Sequence, residues 1–416
     1  MSKGLVEMLC GLSVVLLAFP LWAKDLEVKV GEPVLVTSTR EADGYMARFP
    51  TIAKLATGEV ACFFGSTRDA EQPEGNFGGW CVSTDGGKTW GPRVNRMLSS
   101  SSHIQLDDGR LLKLDYHTLT AKKDDPRNFV TWAHWFSDGF RKVESRLVNI
   151  RLDRDYILDW SKFDPHPENF PLEKLKYQVG PYINGSIVKA NDGSLLASAY
   201  GVFDYREHEG YPAGQGPWNK VAFRNFLLQS RDGGLNWEYY STIKTWEDLK
   251  LDPSNPAERP EKTWTGPSET SVVRLNDGRL FSVFRTEGAA SVTYSSDDGK
   301  TWTKPVDLYA IGGLGPKGGI CGVEPRLLLL SNGVLALASG GGHNDYPGRQ
   351  LWIAFSLDGK GERWTHHALI GDPTKPNHTS YPDIVEVEPG KLLYVYDEDS
   401  SNELWCVPIE VRLKGD

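Results

Sequence analysis

Six segments of this chain share one pattern: an apolar run, a tight turn ending in Gly, and a second apolar run. They read "RFPTIAKLATGEVACFFG", "HIQLDDGRLLKLDYH", "NGSIVKANDGSLLASAYG", "ETSVVRLNDGRLFSVFR", "EPRLLLLSNGVLALASGG" and "YPDIVEVEPGKLLYVYDE". Each reads as a β-hairpin, because Asp-Gly and Asn-Gly supply the positive φ angles that such turns require. The turn glycines Gly58, Gly109, Gly193, Gly278, Gly333 and Gly390 stand 51, 84, 85, 55 and 57 residues apart, each room for four strands and their loops. Regular repetition of one hairpin implies radial assembly. The expected fold is all-β: a six-bladed β-propeller of four-stranded antiparallel blades. A two-domain sandwich would have no reason to repeat one hairpin six times. The 14 Trp, 16 Tyr, 16 Phe and 43 Gly suit such a strand-and-turn architecture.

A second repeat punctuates the first. "STDGGKTW" (83–90) returns as "SRDGGLNW" (230–237) and "SSDDGKTW" (295–302), with a worn copy "SLDGKGERW" at 356–364. Asp with Ser or Thr can bond local backbone, Gly permits the turn, and Trp packs between strands. Counting strands down and up the axis places these turns between third and fourth strands, at the end where the hairpin glycines lie. They are read as structural staples. The early strand "LEVKVGEPVLV" (26–36) is expected to pair with the last blade and close the ring. The stretches 118–180 and 201–226 are expected to form loops over one face.

The first 23 residues read as an export signal: Lys3, the apolar run "LVEMLCGLSVVLLAF", and "LWA" before Lys24 as the cleavage site. Residues 24–416 would then be one propeller domain, periplasmic or secreted, and no later stretch is apolar enough to span a bilayer. The net charge of −9 argues against nucleic acid, which requires a basic face. Four cysteines outside the signal, Cys62, Cys81, Cys321 and Cys406, are too few for a disulfide scaffold, and no CxxC pair suggests zinc. Cys62 and Cys81 fall on neighbouring strands and could pair or remain buried thiols. Neither a metal-ligand cluster nor a dinucleotide or phosphate-binding loop is present, so no cofactor is implied.

Functional residues are expected at the other end, where first strands begin and second strands finish. Asn184, Glu269, Glu324 and Tyr381 each stand nine residues before a turn Gly, and Arg48 stands ten before Gly58. Second strands return to that mouth with Arg68, His117, Tyr200, Arg285 and Asp397, and Arg349 opens a third strand there. Converging arginines repel one another unless an anion lies among them, and guanidinium groups suit a carboxylate. The mouth is read as a receptor for an acidic small molecule or sugar.

The chain here resembles the sialidases (neuraminidases), six-bladed propellers with repeated Asp boxes. "ARFPTI" at Arg48 matches the family's Arg-Ile-Pro-like motif in blade one. "SETSVVRLNDGRLFSVFR" matches the Glu that begins blade four, at Glu269, and the Arg that ends its second strand, at Arg285. Arg349 before an Asp box, and Tyr381 in "YPDI", match the third Arg and the Tyr of blade six. The resemblance implies that Arg48, Arg285 and Arg349 hold a substrate carboxylate; Arg68 is expected beside them. Tyr381 would attack the anomeric carbon while Glu269 takes its proton, the Tyr-nucleophile exception to the two-carboxylate scheme.

The family's general acid, an Asp after the second strand of blade one, has no direct match. That loop reads "STRDAEQPEGNFGGW", in which Glu74 is the nearest carboxylate and Asp69 the alternative. The leading expectation is an exported exo-sialidase-like glycoside hydrolase that takes a terminal acidic sugar from a glycan and retains its configuration. The same chemistry on another acidic sugar, and a non-catalytic propeller that binds acidic glycans, are the alternatives. The Tyr381–Glu269 pair favours an enzyme, and the unmatched Asp favours the binder.

Overall fold

A computed structural model describes residues 25–38, 47–65, 78–96, 102–122, 124–158, 180–205, 221–249, 266–286, 290–308, 322–343, 346–370, 381–398 and 402–414. Two N-terminal strands, β1 (Asp25–Val30) and β2 (Val34–Ser38), precede the first blade. Blade one is β3 (Arg48–Lys54), β4 (Val60–Gly65), β5 (Gly78–Ser83) and β6 (Val94–Arg96). Blade two has β7 (His103–Gln105), β8 (Leu111–Leu114), the short β9 (Leu119–Thr120), β10 (Asn128–Ser137) and β11 (Lys142–Arg151). Blade three is β12 (Tyr182–Lys189), β13 (Leu195–Tyr205), β14 (Val221–Ser230) and β15 (Asn236–Thr245).

Blade four is β16 (Thr270–Arg274), β17 (Leu280–Phe284), β18 (Ser291–Ser295) and β19 (Val306–Asp307). Blade five is β20 (Val323–Leu329), β21 (Leu335–His343), β22 (Tyr346–Ser356) and β23 (His366–Ile370). The last blade takes β24 (Asp383–Glu388), β25 (Lys391–Glu398) and β26 (Glu403–Lys414) from the end of the chain and β1 from its beginning. The expected closure is observed: β1 and β2 both pair antiparallel with β26.

Packing turns these units into a ring, because every neighbouring pair shares an apolar core. Phe63 and Trp80 meet Phe136 between blades one and two. Leu112 meets Ile187 between two and three, and Leu227 meets Leu280 between three and four. Phe281 meets Leu337 between four and five, and Phe355 meets Tyr394 between five and six. Cys406 and Val395 meet Ile52 and Cys62 between six and one. The molecule is a closed β-propeller. Cys62 lies opposite Cys81 in the β4–β5 register, and both, with Cys406, are free buried thiols. Cys321 lies outside the described residues.

The first strands of the blades line the axis and bond one another there. Ile52 N–H donates to Asp383 Oδ2 at 2.9 Å, Val272 N–H to Ser186 Oγ at 3.1 Å, and Leu327 N–H to Ser271 Oγ at 3.0 Å. The Trp turns join third to fourth strands as expected. In each, Ser and Asp gather the turn: Gly87 N–H donates to Ser83 Oγ at 2.8 Å and Thr89 N–H to Asp85 Oδ1 at 3.0 Å, the second and third copies repeat both bonds, and in the fourth Gly361 N–H donates to Ser356 Oγ and Lys360 N–H to Asp358 Oδ1. Asp298, in the third copy, accepts from Asn191 N–H of the blade-three hairpin turn at 2.9 Å. The boxes and the hairpin glycines therefore share one end, opposite the mouth.

Two expectations need correction. Residues 118–180 are not all loop: β10 and β11, ten residues each, complete blade two within them. Likewise β13 runs on to Tyr205 and β14 begins at Val221. The polar alternation of "ESRLVNIR" hid β11, an outer strand with one face in water. Its edge is covered by β15, which pairs with it in parallel through Asn149–Arg151, so blades two and three form one nine-stranded sheet.

Candidate active site

At the mouth, blades four and six bring a carboxylate, a phenol and a guanidinium together. Glu269 and Arg285 face each other across the hairpin of blade four, one step beyond the Thr270–Phe284 pair, and Arg285 N–H donates to the Glu269 carbonyl at 2.9 Å. That backbone pairing converts a spacing of sixteen residues into contact: Arg285 Nη1 donates to Glu269 Oε1 at 2.9 Å. Tyr381 enters from the start of blade six and donates its hydroxyl to the same oxygen at 3.1 Å, with Arg285 Nη1 at 3.5 Å from the phenol oxygen. Glu269 is 5% exposed, so its charge sits in a poorly solvated place, balanced by Arg285. The guanidinium is in turn held in its charged form, first by the Glu269 carboxylate and then by Tyr381.

The surroundings divide into an apolar wall and a charged floor. Phe49 stands edge-on to Tyr381, ring centroids 4.8 Å apart, and its N–H donates to the buried Asp397 at 3.0 Å. Blades two and three supply Tyr116, Tyr182 and Tyr200; Tyr116 stacks on Tyr182 at 4.8 Å, and the Tyr116 and Tyr200 hydroxyls bond each other. Burial raises both of those phenols well above the ordinary tyrosine range, so they are neutral donors. His117, edge-on to Tyr116 at 4.9 Å, is pushed down to about 4 by desolvation and is a neutral imidazole at pH 7.

Below the pair, Asn184, Glu324, Arg326 and Asp383 fill the axis. Asn184 Nδ2 donates to both Glu324 oxygens at 3.0 Å, and Arg326 pairs with Glu324 as well. Arg326 Nε lies 3.9 Å from Asp383 Oδ1. Burial pushes Glu324 up to about 7 and raises Asp383 too. Lys113, fully buried, is pushed down to about 8. Arg326 and Asp383 were not singled out in the sequence. The period-two rule offered the signal for Arg326, which lies two residues after Glu324 on the same strand face.

Of the residues expected at this mouth, Glu269, Arg285 and Tyr381 are in mutual contact. Arg48 begins β3 and is 7% exposed. The main chain of Arg349 lies in β22 opposite Gly342, at the mouth end of that strand, and its side chain is outside the described set. Arg68, Asp69 and Glu74 lie outside the described residues. Among the described residues no group of His, Cys, Asp and Glu could hold a metal ion, and no helix is long and apolar enough to cross a membrane.

Comparison with solved structures agrees with the fold. An uncharacterised protein of Dyadobacter fermentans superposes with a TM-score of 0.62 at 18% identity, covering 92% of this chain and 99% of that one. An α-L-arabinanase of Penicillium chrysogenum gives 0.57 at 15% identity, covering 92% and 98%. A sialidase of Streptococcus pneumoniae gives 0.54 at 13% identity, covering 92% and 70%. No curated protein matches the sequence. The family model described as a BNR repeat-like domain matches residues 159–394, more than half of the chain. With its Asp-box turns and its closed ring of blades, the chain belongs to the BNR repeat-like domain family.

Proposed function

We propose that this protein is an exported glycoside hydrolase that removes a terminal acidic sugar, a sialic acid or a close relative, from a glycan. The observation that carries the reading is the Tyr381 hydroxyl donating to Glu269 Oε1 at 3.1 Å beside Arg285. A phenol with a pKa near 10 is a weak nucleophile at neutral pH and needs a base to take its proton as it attacks. Glu269 stands where that base must stand. As the Tyr381 oxygen bonds to the anomeric carbon, its proton passes to Glu269 Oε1 and the glycosidic bond breaks. Glu74, or Asp69 in its place, protonates the leaving oxygen. Water, giving a proton to the carboxylate that remains on that acid, then attacks the same carbon, the phenol recovers its proton from Glu269, and the configuration is retained. Arg48, Arg285 and Arg349 hold the sugar carboxylate through charge-assisted bonds. A neutral phenol approaches that charged sugar without the repulsion a carboxylate nucleophile would meet.

Neighbours that share the fold include glycosidases of acidic and of neutral sugars. The test therefore sets aryl glycosides of several acidic sugars against neutral controls, followed by mass spectrometry after treatment with a fluorinated acidic-sugar substrate. Turnover of an acidic glycoside with label on Tyr381 is expected. Turnover confined to neutral glycosides, or label on another residue, would sink the reading; binding of acidic glycans with neither would favour a lectin-like role.

A further inference from the structure

The base in this site is itself held by a residue with no assigned role. Glu324, the second residue of β20 in blade five, has φ 44°, a left-handed conformation that residues with a Cβ rarely adopt. The β20–β21 register slips between Val323 and Arg326 at this point. The slip turns the Glu324 peptide out of its own sheet, and its N–H donates to Glu269 Oε2 in blade four at 2.9 Å. The side chain points the other way, into the axis, where Asn184 of blade three donates to both its oxygens and Arg326 pairs with it. Glu324, Asn184, Arg326 and Glu269 are each 4–5% exposed, so these bonds lie away from water.

We propose that Glu324 is a positioning residue for the Tyr381–Glu269 pair, its main-chain N–H fixing which oxygen of Glu269 acts as the base. Tyr381 and Arg285 both bond Oε1, and bonds to one oxygen alone leave the carboxylate free to rotate about its terminal torsion. A donor on Oε2 removes that freedom. It also favours the product of proton transfer, because a carboxyl protonated on Oε1 keeps Oε2 as a carbonyl oxygen that still accepts an N–H. Asn184 and Arg326 clamp the carboxyl and so keep the peptide in its left-handed turn. Three blades thus cooperate on the orientation of one carboxylate. The charged groups facing Glu324 are Arg326 on its own strand, Glu269 from blade four and Asp383 from blade six, and burial pushes its carboxyl up to about 7, so its charge changes across neutrality.

The inference rests on the proposed role of the pair, and its test is chosen to survive the failure of that role. Tyrosines of the full chain are labelled with ¹³C at Cζ, and the Tyr381 signal is assigned by its loss in Tyr381→Phe. Glu324→Ala removes the clamp and the reason for the left-handed turn, so the Tyr381 signal should shift and its titration midpoint move by about half a unit or more. Glu324→Gln keeps the length and an acceptor for Asn184 and should restore most of the parent signal. Asn184→Ala, which leaves residue 324 intact but also removes an acceptor for the Thr270 N–H, should move the signal in the same sense, and an unchanged signal there overturns the inference even if Glu324→Ala does not fold. A Tyr381 signal unchanged in the folded variants overturns the inference, whether or not any sugar is cleaved. Where the parent turns over an acidic aryl glycoside, Glu324→Ala should lower kcat roughly tenfold or more with KM within about threefold. An unchanged kcat overturns the inference equally.

Discussion

Tyr381→Phe and Glu269→Gln separate what the pair does for chemistry from what it does for the fold. The first removes a single O–H. The ring keeps its edge contact with Phe49 at 4.8 Å, and Glu269 keeps Arg285 at 2.9 Å and the Glu324 N–H at 2.9 Å. One hydrogen bond from a half-buried phenol is lost, a cost of about 1 kcal/mol. Glu269→Gln is harsher, because the Arg285 guanidinium loses its carboxylate. Breaking a fully buried pair costs about 3–5 kcal/mol. Arg285 is 30% exposed and the amide oxygen still accepts, so about 2 kcal/mol is the better figure. A chain of 416 residues unfolds with an entropy of about 0.9 kcal/mol/K. The two changes should thus lower the melting temperature by about 1 °C and about 2 °C.

Turnover should respond on another scale. Each variant should lose roughly a thousandfold in kcat, about 4 kcal/mol of barrier, and the double variant should be little worse than either, because the two groups act as one unit. Steady-state rates on an activated aryl glycoside, with calorimetric melting of the same preparations, provide both numbers. A Tyr381→Phe protein that keeps more than about a tenth of parental turnover refutes the covalent mechanism. One that melts more than about 5 °C lower shows instead that the phenol is a structural post.

Two further predictions test the frame around the site. A Cβ on Gly185, whose φ is 98°, would lie 1.6 Å from the Thr270 carbonyl oxygen. Gly185→Ala should therefore destabilise by about 3 kcal/mol or more, read as a fall of several degrees in melting temperature, and an unchanged melt would contradict the packing of blade three on blade four. His117 is depressed from 6.5 to about 4. The unfolded chain binds its proton first as pH falls, so its contribution is complete above 6.5 and is lost as pH drops toward 4, by up to about 3 kcal/mol. Melting curves across that window should be steeper in pH for the parent than for His117→Phe, and parallel curves would show that this imidazole is not held neutral.

Much of the ring was legible because its signals are local. A hairpin turn needs positive φ, so Gly58, Gly109, Gly193, Gly278, Gly333 and Gly390 announced themselves, and each indeed has φ between 71° and 107°. Register did the rest for the pair: counting back from those glycines aligned Glu269 with Tyr381, and the strands delivered both to one point. What escaped depends on neighbours distant in sequence. Nothing in "VEPRLL" announces that Glu324 adopts a left-handed turn, because a bulge is set by what the adjoining blade accepts. Arg326 owes its place to partners on two strands, the Glu324 carboxyl beside it and the Gly185 carbonyl of blade three. The parallel seam of β11 and β15 joins edges whose sequences carry no pairing preference. Glu74 and Asp69, the candidate acids, belong to a segment outside the described residues.

The clasp of β1 on β26 has a consequence for how the molecule is made. Asp25 and Lys414, bonded at 2.7 Å, are 389 residues apart in the chain. Bringing together ends so distant costs roughly 5 kcal/mol of chain entropy, the largest such cost in the molecule, so this pairing is the step that most needs the rest to be in place. Tyr381 belongs to the last blade, and Phe49, which steadies its ring, to the first. Those two meet only across the closure. A chain stalled with five blades built leaves the mouth without the Phe49–Tyr381 contact, so under the proposed mechanism competence would arrive in a single late event rather than blade by blade.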